Sequence, residues 1–197
     1  MWNITIFASG SGSNAENIFN YFKDSKIIRV GLVVTDNPKA FVIERCRKFS
    51  VPCLVLSQRL LDDSDFMLGV LRDFRTNFVV LAGYIKLIPD YIVAAFDQRI
   101  VNIHPSLLPK HGGKGMYGKR VHQSVLDSGD KESGITIHFI DNDYDRGPAI
   151  FQAKCPVMPD DTADTLAQRV HALEYEHYPK VIEDTIIKVL SEKCDVH

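Results

Sequence analysis

Hydrophobic and polar positions change period several times along the chain, and each change marks an element. Residues 2–8 are an apolar, β-branched run that breaks into Ser9-Gly10-Ser11-Gly12-Ser13-Asn14. A short apolar run closed by turn residues reads as a strand. Residues 14–23 then place Ile18, Phe19 and Phe22 at the spacing of one helix face. The alternation repeats. A strand over 28–34 is closed by Thr35-Asp36-Asn37-Pro38, and a helix over 39–49 follows. A short strand at 53–56 leads to a helix over 65–75, with Phe66, Leu68, Leu71 and Phe74 near one face. Residues 78–82 are unbroken apolar sequence, Pro89 opens a short helix over 89–96, and 99–103 reads as a further strand.

Strands without polar alternation, separated by helices, belong to a parallel sheet covered on both faces. The second half differs. Strands over 134–140 and 149–157 are joined only by the polar turn 141–148, which predicts an antiparallel pair added to the sheet. Residues 162–190 read as helix and 191–197 as a polar tail. The expected architecture is α/β: one domain over 1–190, with a mostly parallel twisted sheet, helices on both faces and an antiparallel strand pair in the C-terminal half. The one long irregular stretch, 104–118, carries two prolines and four glycines. A structureless stretch of that length in a compact domain is often functional.

Composition narrows the class. The chain has 197 residues, 45% hydrophobic and 24% charged, with a formal net charge of -2. That balance suits a globular domain with a full core and argues against a general nucleic-acid binder, which carries a basic surplus. No apolar run approaches a membrane span, and the N-terminal run is short and lacks a basic flank, so a cytoplasmic setting is expected. Cys46, Cys53, Cys155 and Cys194 form no CxxC pair and no zinc-ligand spacing. They read as reduced thiols, and no metal is expected.

Three clusters carry candidate chemistry. The Gly10-to-Asn14 turn lies between a strand and a helix. Glycines allow close backbone approach, and a helix start offers unpaired N–H groups to a phosphate. A plain Gly/Ser turn with an N-cap would look the same. Asn102 and His104 stand two apart at a strand's carboxyl end, so both project from one face. Ligands of open α/β sheets bind at such ends. An amide can donate to a developing oxyanion, and an imidazole can move a proton near neutral pH. The turn from Asp141 to Pro148 holds Asp141, Asp143 and Asp145, any of which would pair with His104 if the turn folds over it. The acidic run lacks the closing Glu and flanking helices of a calcium loop.

Together these pieces resemble the phosphoribosylglycinamide formyltransferase family. The resemblance rests on GSGSN at 10–14, VVLAGYIKLIP at 79–89, NIHPSLLP at 102–109, HFIDNDYDRGP at 138–148, and Glu174 with Tyr178-Pro179. It implies a Rossmann-like formyltransferase fold and transfer of a formyl group from 10-formyltetrahydrofolate to the amine of 5-phosphoribosylglycinamide. Related formyltransferases that carry an additional domain fit the length less well.

The resemblance also implies roles. Asn102, His104 and Asp145 match the catalytic trio. Gly12, Ser13, Asn14 and Glu174 match the binding site for the phosphoribosylglycinamide. Ile85, Lys86, Leu87, Ile88, Asn102 and Asp141 match the folate site. Arg59 is the one arginine in the region where some members reach the substrate. Lys86 would meet a folate carboxylate or face water, and His138 would support the trio. Arg146 stands where the family often has Gly. The expected partners are the two small-molecule substrates, with no nucleic acid or membrane, and the expected assembly is a monomer or homodimer. Two other readings share parts of the pattern. A non-catalytic sugar-phosphate binding module would keep the turn without needing Asn102 and His104. A formyltransferase acting on an amino sugar nucleotide would keep both.

Overall fold

The structure is a computed structural model that describes residues 1–194. In chain order the elements are β1 (Trp2–Phe7), α1 (Ser13–Phe22), β2 (Ile28–Thr35), α2 (Val42–Phe49), β3 (Cys53–Val55), α3 (Gln58–Asp62), α4 (Ser64–Asp73), β4 (Thr76–Leu81), α5 (Asp90–Ala95), β5 (Ile100–His104), α6 (Lys119–Asp127), β6 (Glu132–Phe139), β7 (Ala149–Pro156) and α7 (Ala163–Cys194). All seven strands join one sheet in the order β3-β2-β1-β4-β5-β6-β7. β1 to β5 pair in parallel. β6 runs antiparallel to β5, and β7 antiparallel to β6.

The apolar strand pattern is explained by two separate cores. Ile4, Ile6, Val33, Phe78 and Val80 meet α1 and α7 on one face. Phe7, Leu32, Val34, Val79 and Leu81 meet α4 and α5 on the other. Neighbours in a strand point to opposite faces, so a strand covered twice must be apolar at nearly every position. Burying one such side chain stabilises by roughly 1.5–3 kcal/mol. A register slip of one residue would exchange the two faces, which specifies the pairing strongly.

The expected architecture stands, with differences in detail. The sequence reading omitted α3 and α6. α3 is five residues long, too short for a periodic signal. α6 follows directly on the glycine-rich stretch and buries only Val121, His122 and Val125 among the residues of a polar segment. The helix expected from residue 39 begins at Val42, and the one expected from 65 begins at Ser64, where the Asp63 carboxylate accepts from the Phe66 N–H at 3.0 Å. α7 continues through Cys194, so 191–194 of the expected tail are helical, while 195–197 lie outside the described residues. Cys46, Cys53 and Cys155 are free thiols.

α7 contains Pro179, which has no N–H to donate to the carbonyl four residues back. That carbonyl belongs to Tyr175, and the Asn17 side-chain amide on α1 donates to it at 2.9 Å. The neighbouring Tyr178 is fully buried, and its hydroxyl lies 2.8 Å from the Leu81 carbonyl and 3.2 Å from that of Val101. The Tyr-Pro pair thus ties α7 to α1 and to the adjacent strands β4 and β5.

Candidate active site

β1 lies between β2 and β4, so the chain leaves the carboxyl ends of β1 and β4 in opposite directions. A crevice opens at such a switch point. Here it is a cavity of about 480 Å³ lined from α1, β4, β5, α6 and α7 and from the loops after β1, β4, β5 and β6.

At one end lies the turn after β1. Gly12 caps α1 at φ +71, and a Cβ there would stand 2.5 Å from the Val42 Cγ2, so only glycine fits. The turn's carbonyls are held away from the cavity. Ser9 O accepts from Asn37 Nδ2 at 3.2 Å, Gly10 O from the Val42 N–H at 3.2 Å, and Ser11 O from Arg45 Nε at 2.8 Å. The first-turn N–H groups of α1, at Ser13 and Asn14, have no intrahelical acceptor. No side chain caps this helix. A capping turn would use its serine or asparagine for that bond, and this one does not. Asn14 reaches α7 instead and donates to Glu174 Oε2 at 2.8 Å. His171 Nδ1 stands 2.8 Å from the same oxygen. Glu174 is 4% exposed, and the Asn14 Oδ1 beside it is buried without a partner.

At the other end β5 delivers Asn102 and His104 to the cavity. The antiparallel partner β6 places His138 directly opposite Asn102. His138 is fully buried, and its Nδ1 lies 2.8 Å from the Phe139 carbonyl. A carbonyl only accepts, so Nδ1 carries the proton. Nε2 then accepts from Asn102 Nδ2 at 3.1 Å, which orients the amide and leaves its second N–H for the cavity. His138 therefore supports the site from outside the substrate space.

Of the three turn aspartates, Asp145 reaches His104. Its Oδ2 is 3.4 Å from His104 Nδ1, and its Oδ1 is 3.7 Å from His138 Nε2. The Gly113 N–H donates to Oδ2 at 2.9 Å. Burial pushes the Asp145 carboxyl up, but the hydrogen bond and charge of His104 and the Gly113 N–H outweigh it and hold it well below the usual carboxylate range. The turn is tight: Asp145 sits at φ +55, and a Cβ on Gly147 would lie 1.9 Å from the Phe139 carbonyl oxygen. Arg146 points out and pairs with Asp143 at 3.7 Å. On its far side His104 Nε2 lies 2.9 Å from the His111 carbonyl. With a carbonyl on one nitrogen and a carboxylate on the other, the ring donates to both only as imidazolium.

The remaining expected residues divide. Ile85 and Leu87, 46% and 38% exposed, present apolar surface to the cavity, and Ile88 lies buried beneath them. Lys86 is neither free nor facing water alone: its ammonium pairs with Asp36 at 2.8 Å and with Gln58 at 2.9 Å. Asp141 does not line the cavity, and its carboxylate accepts from the Asp143 N–H at 3.0 Å to shape the turn. Arg59 is exposed on α3 and also lies outside the cavity lining. Leu61, two residues on, takes the buried side of that short helix, which turns Arg59 outward.

Among the wall residues that escaped the sequence reading are two histidines. His122, 2% exposed, lines the cavity from α6 with its Nδ1 unpartnered. His171 lines it from α7. Each looks like an ordinary helical residue until its helix is packed. Among the described residues, no group of three or more His, Cys, Asp or Glu side chains is placed to hold a metal ion.

A doubly wound α/β sheet with an amide-rich helix start at one end of a cavity and an Asn-His-Asp trio at the other defines a group-transfer enzyme class. Residues 2–182 match the formyl transferase family. The chain is 35% identical to the phosphoribosylglycinamide formyltransferase of Bacillus subtilis over 94% of its own length and 95% of the relative's. It is 41% identical to the chloroplastic phosphoribosylglycinamide formyltransferase of Arabidopsis thaliana over 91% of its length, and spans 63% of that relative. The crystal structure of the phosphoribosylglycinamide formyltransferase from Bacillus halodurans is similar with a TM-score of 0.84 and 34% identity, covering 95% of this chain and 96% of that one. The chain belongs to the formyl transferase family, in its phosphoribosylglycinamide formyltransferase branch.

Proposed function

We propose that this protein transfers the formyl group of 10-formyltetrahydrofolate to the amine of 5-phosphoribosylglycinamide, a step of purine biosynthesis. The observation that carries the reading is the spacing of two unlike ends within one cavity. The α1 start suits a phosphate, and Asn102, His104 and Asp145 suit a reacting carbonyl.

Gly12, Ser13 and Asn14 hold the phosphate through helix-start amides. Glu174, fixed by Asn14 and His171, receives the glycinamide side of the substrate. Ile85 and Leu87 offer apolar contact to the folate ring. The amine attacks the formyl carbon, the new C–N bond forms, and the carbonyl electron pair moves onto oxygen. The free N–H of Asn102 and the Nδ1–H of His104 meet that oxygen. At 3.4 Å from Asp145 Oδ2 that Nδ1–H is only weakly held, which leaves it free to serve the substrate oxygen as well. Each donor of this kind is worth about 2.7–4 kcal/mol of transition-state stabilisation. Asp145, ionised, accepts the proton that the new cationic nitrogen gives up; the oxygen's electron pair re-forms the carbonyl, and His104 gives a proton to the folate nitrogen as its bond to the formyl carbon breaks.

The cavity is complete within one chain, which suits a monomer or homodimer; sedimentation decides between them. Among the described residues no helix is long and apolar enough to cross a membrane. A cytoplasmic setting is part of the proposal. The test is loss of formyl-folate absorbance with and without phosphoribosylglycinamide. Acceptor-dependent turnover is expected, reduced roughly 10²–10³-fold in kcat by His104→Ala with smaller changes in KM. No acceptor-dependent turnover, or full turnover in that variant, overturns the reading.

A further inference from the structure

His104 is held from behind by the loop at His111, a residue that does not itself line the cavity. Its Nε2 donates to the His111 carbonyl at 2.9 Å. His111 sits at φ +57, a conformation uncommon outside glycine, and the direction of its carbonyl depends on it. The ring supplies the anchor. Nε2 donates to Asp130 Oδ2 at 3.0 Å, in the turn between α6 and β6. Nδ1 accepts from the Ser124 hydroxyl on α6 at 2.8 Å. Lys110 holds the other Asp130 oxygen at 2.9 Å. Hydrogen bonds from His111 and then Lys110 keep the Asp130 carboxyl below its ordinary range, so it remains an acceptor through neutral pH. Two residues on, the Gly113 N–H grips Asp145 at 2.9 Å. One short stretch therefore touches both members of the His104–Asp145 pair, by a carbonyl and by an amide.

We propose that His111 is a positioning residue: its ring, locked on Ser124 and Asp130, aims the backbone carbonyl that fixes the orientation of the His104 imidazole. His111 does not line the cavity, so its ring acts on turnover only through this backbone. A displacement of about 1 Å at a reacting group costs about a hundredfold in rate.

His111→Asn tests this. Asparagine tolerates the left-handed conformation but is too short to bridge both anchors. The kinetic arm rests on the formyl-transfer reading. There kcat falls about 10- to 100-fold while KM for either substrate stays within about threefold. Asp130→Asn, which keeps an acceptor for the ring, retains most of the rate. A second arm needs no turnover: proton NMR of the folded protein shows the slowly exchanging His104 Nε2–H, assigned by its absence in His104→Ala, and His111→Asn abolishes it. Full kcat with an unchanged imidazole signal, or a KM rise that accounts for all the loss in kcat/KM, overturns the proposal. If His111→Asn does not fold, Ser124→Ala reads the same split. Inactive wild-type protein counts against the reaction, and the NMR arm then decides the positioning role alone.

Discussion

Asn14 and Glu174, 160 residues apart in the chain, share a buried 2.8 Å hydrogen bond that closes one side of the cavity. It joins the turn after β1 to α7. Deleting Glu174 also strands Asn14 and His171, and a buried polar group left without its partner costs about 1–3 kcal/mol. Glu174→Ala is expected to lower kcat/KM for the phosphoribosyl substrate about 10- to 100-fold. Glu174→Gln, which keeps an acceptor for Asn14, loses less. Steady-state kinetics at varied acceptor concentration checks the order.

Gly12→Ala tests the turn itself. The added Cβ meets Val42 at 2.5 Å from Cγ2 and 2.8 Å from the backbone Cα, in a residue already at φ +71. Either α2 or the α1 start must move. A loss of about 1–3 kcal/mol is expected from overpacking and the left-handed backbone, measured by urea unfolding. The KM for the phosphorylated substrate should rise more than that for the folate.

pH separates two histidines of the same wall. Burial pushes His122 down, helped by His171 and His104 and opposed by Glu174. Its stability contribution is full above the unfolded value near 6.5 and is lost as pH falls below it, because only the unfolded chain takes the proton readily. His171 runs the other way. The Glu174 hydrogen bond raises it against burial, so its contribution is full below about 6.5 and is lost as pH rises through the higher folded value. Half of its side chain is exposed, which reduces the effect by solvent screening. Thermal unfolding between pH 5 and 8 should show a shallower acid loss in His122→Gln and a steeper one in His171→Gln. Equal slopes in all three proteins would contradict both assignments.

Much of the molecule was legible before folding. Apolar strands such as 78–82 needed cover on two faces, and that requirement alone implied a parallel sheet with helices on both sides. Asn102 and His104 were legible because a strand's period of two places them together. So was the Gly10-to-Asn14 turn, since its residue types suit a helix start. Choosing Asp145 over Asp141 and Asp143 from the residues alone was beyond reach. The turn's fold over β5 sets that choice, and it depends on Gly147 against Phe139 and on Gly113 against the carboxylate. Lys86, His122 and the His111 anchor were equally hidden. Each is defined by a partner on another element: Asp36 on the β2 side, the α7 wall, or Asp130 beyond α6. Local periodicity encodes which way a residue faces within its own element. Which group it meets there is decided only when separate elements pack, because hydrogen bonds and charges act over a few ångströms of space and take no account of distance along the chain.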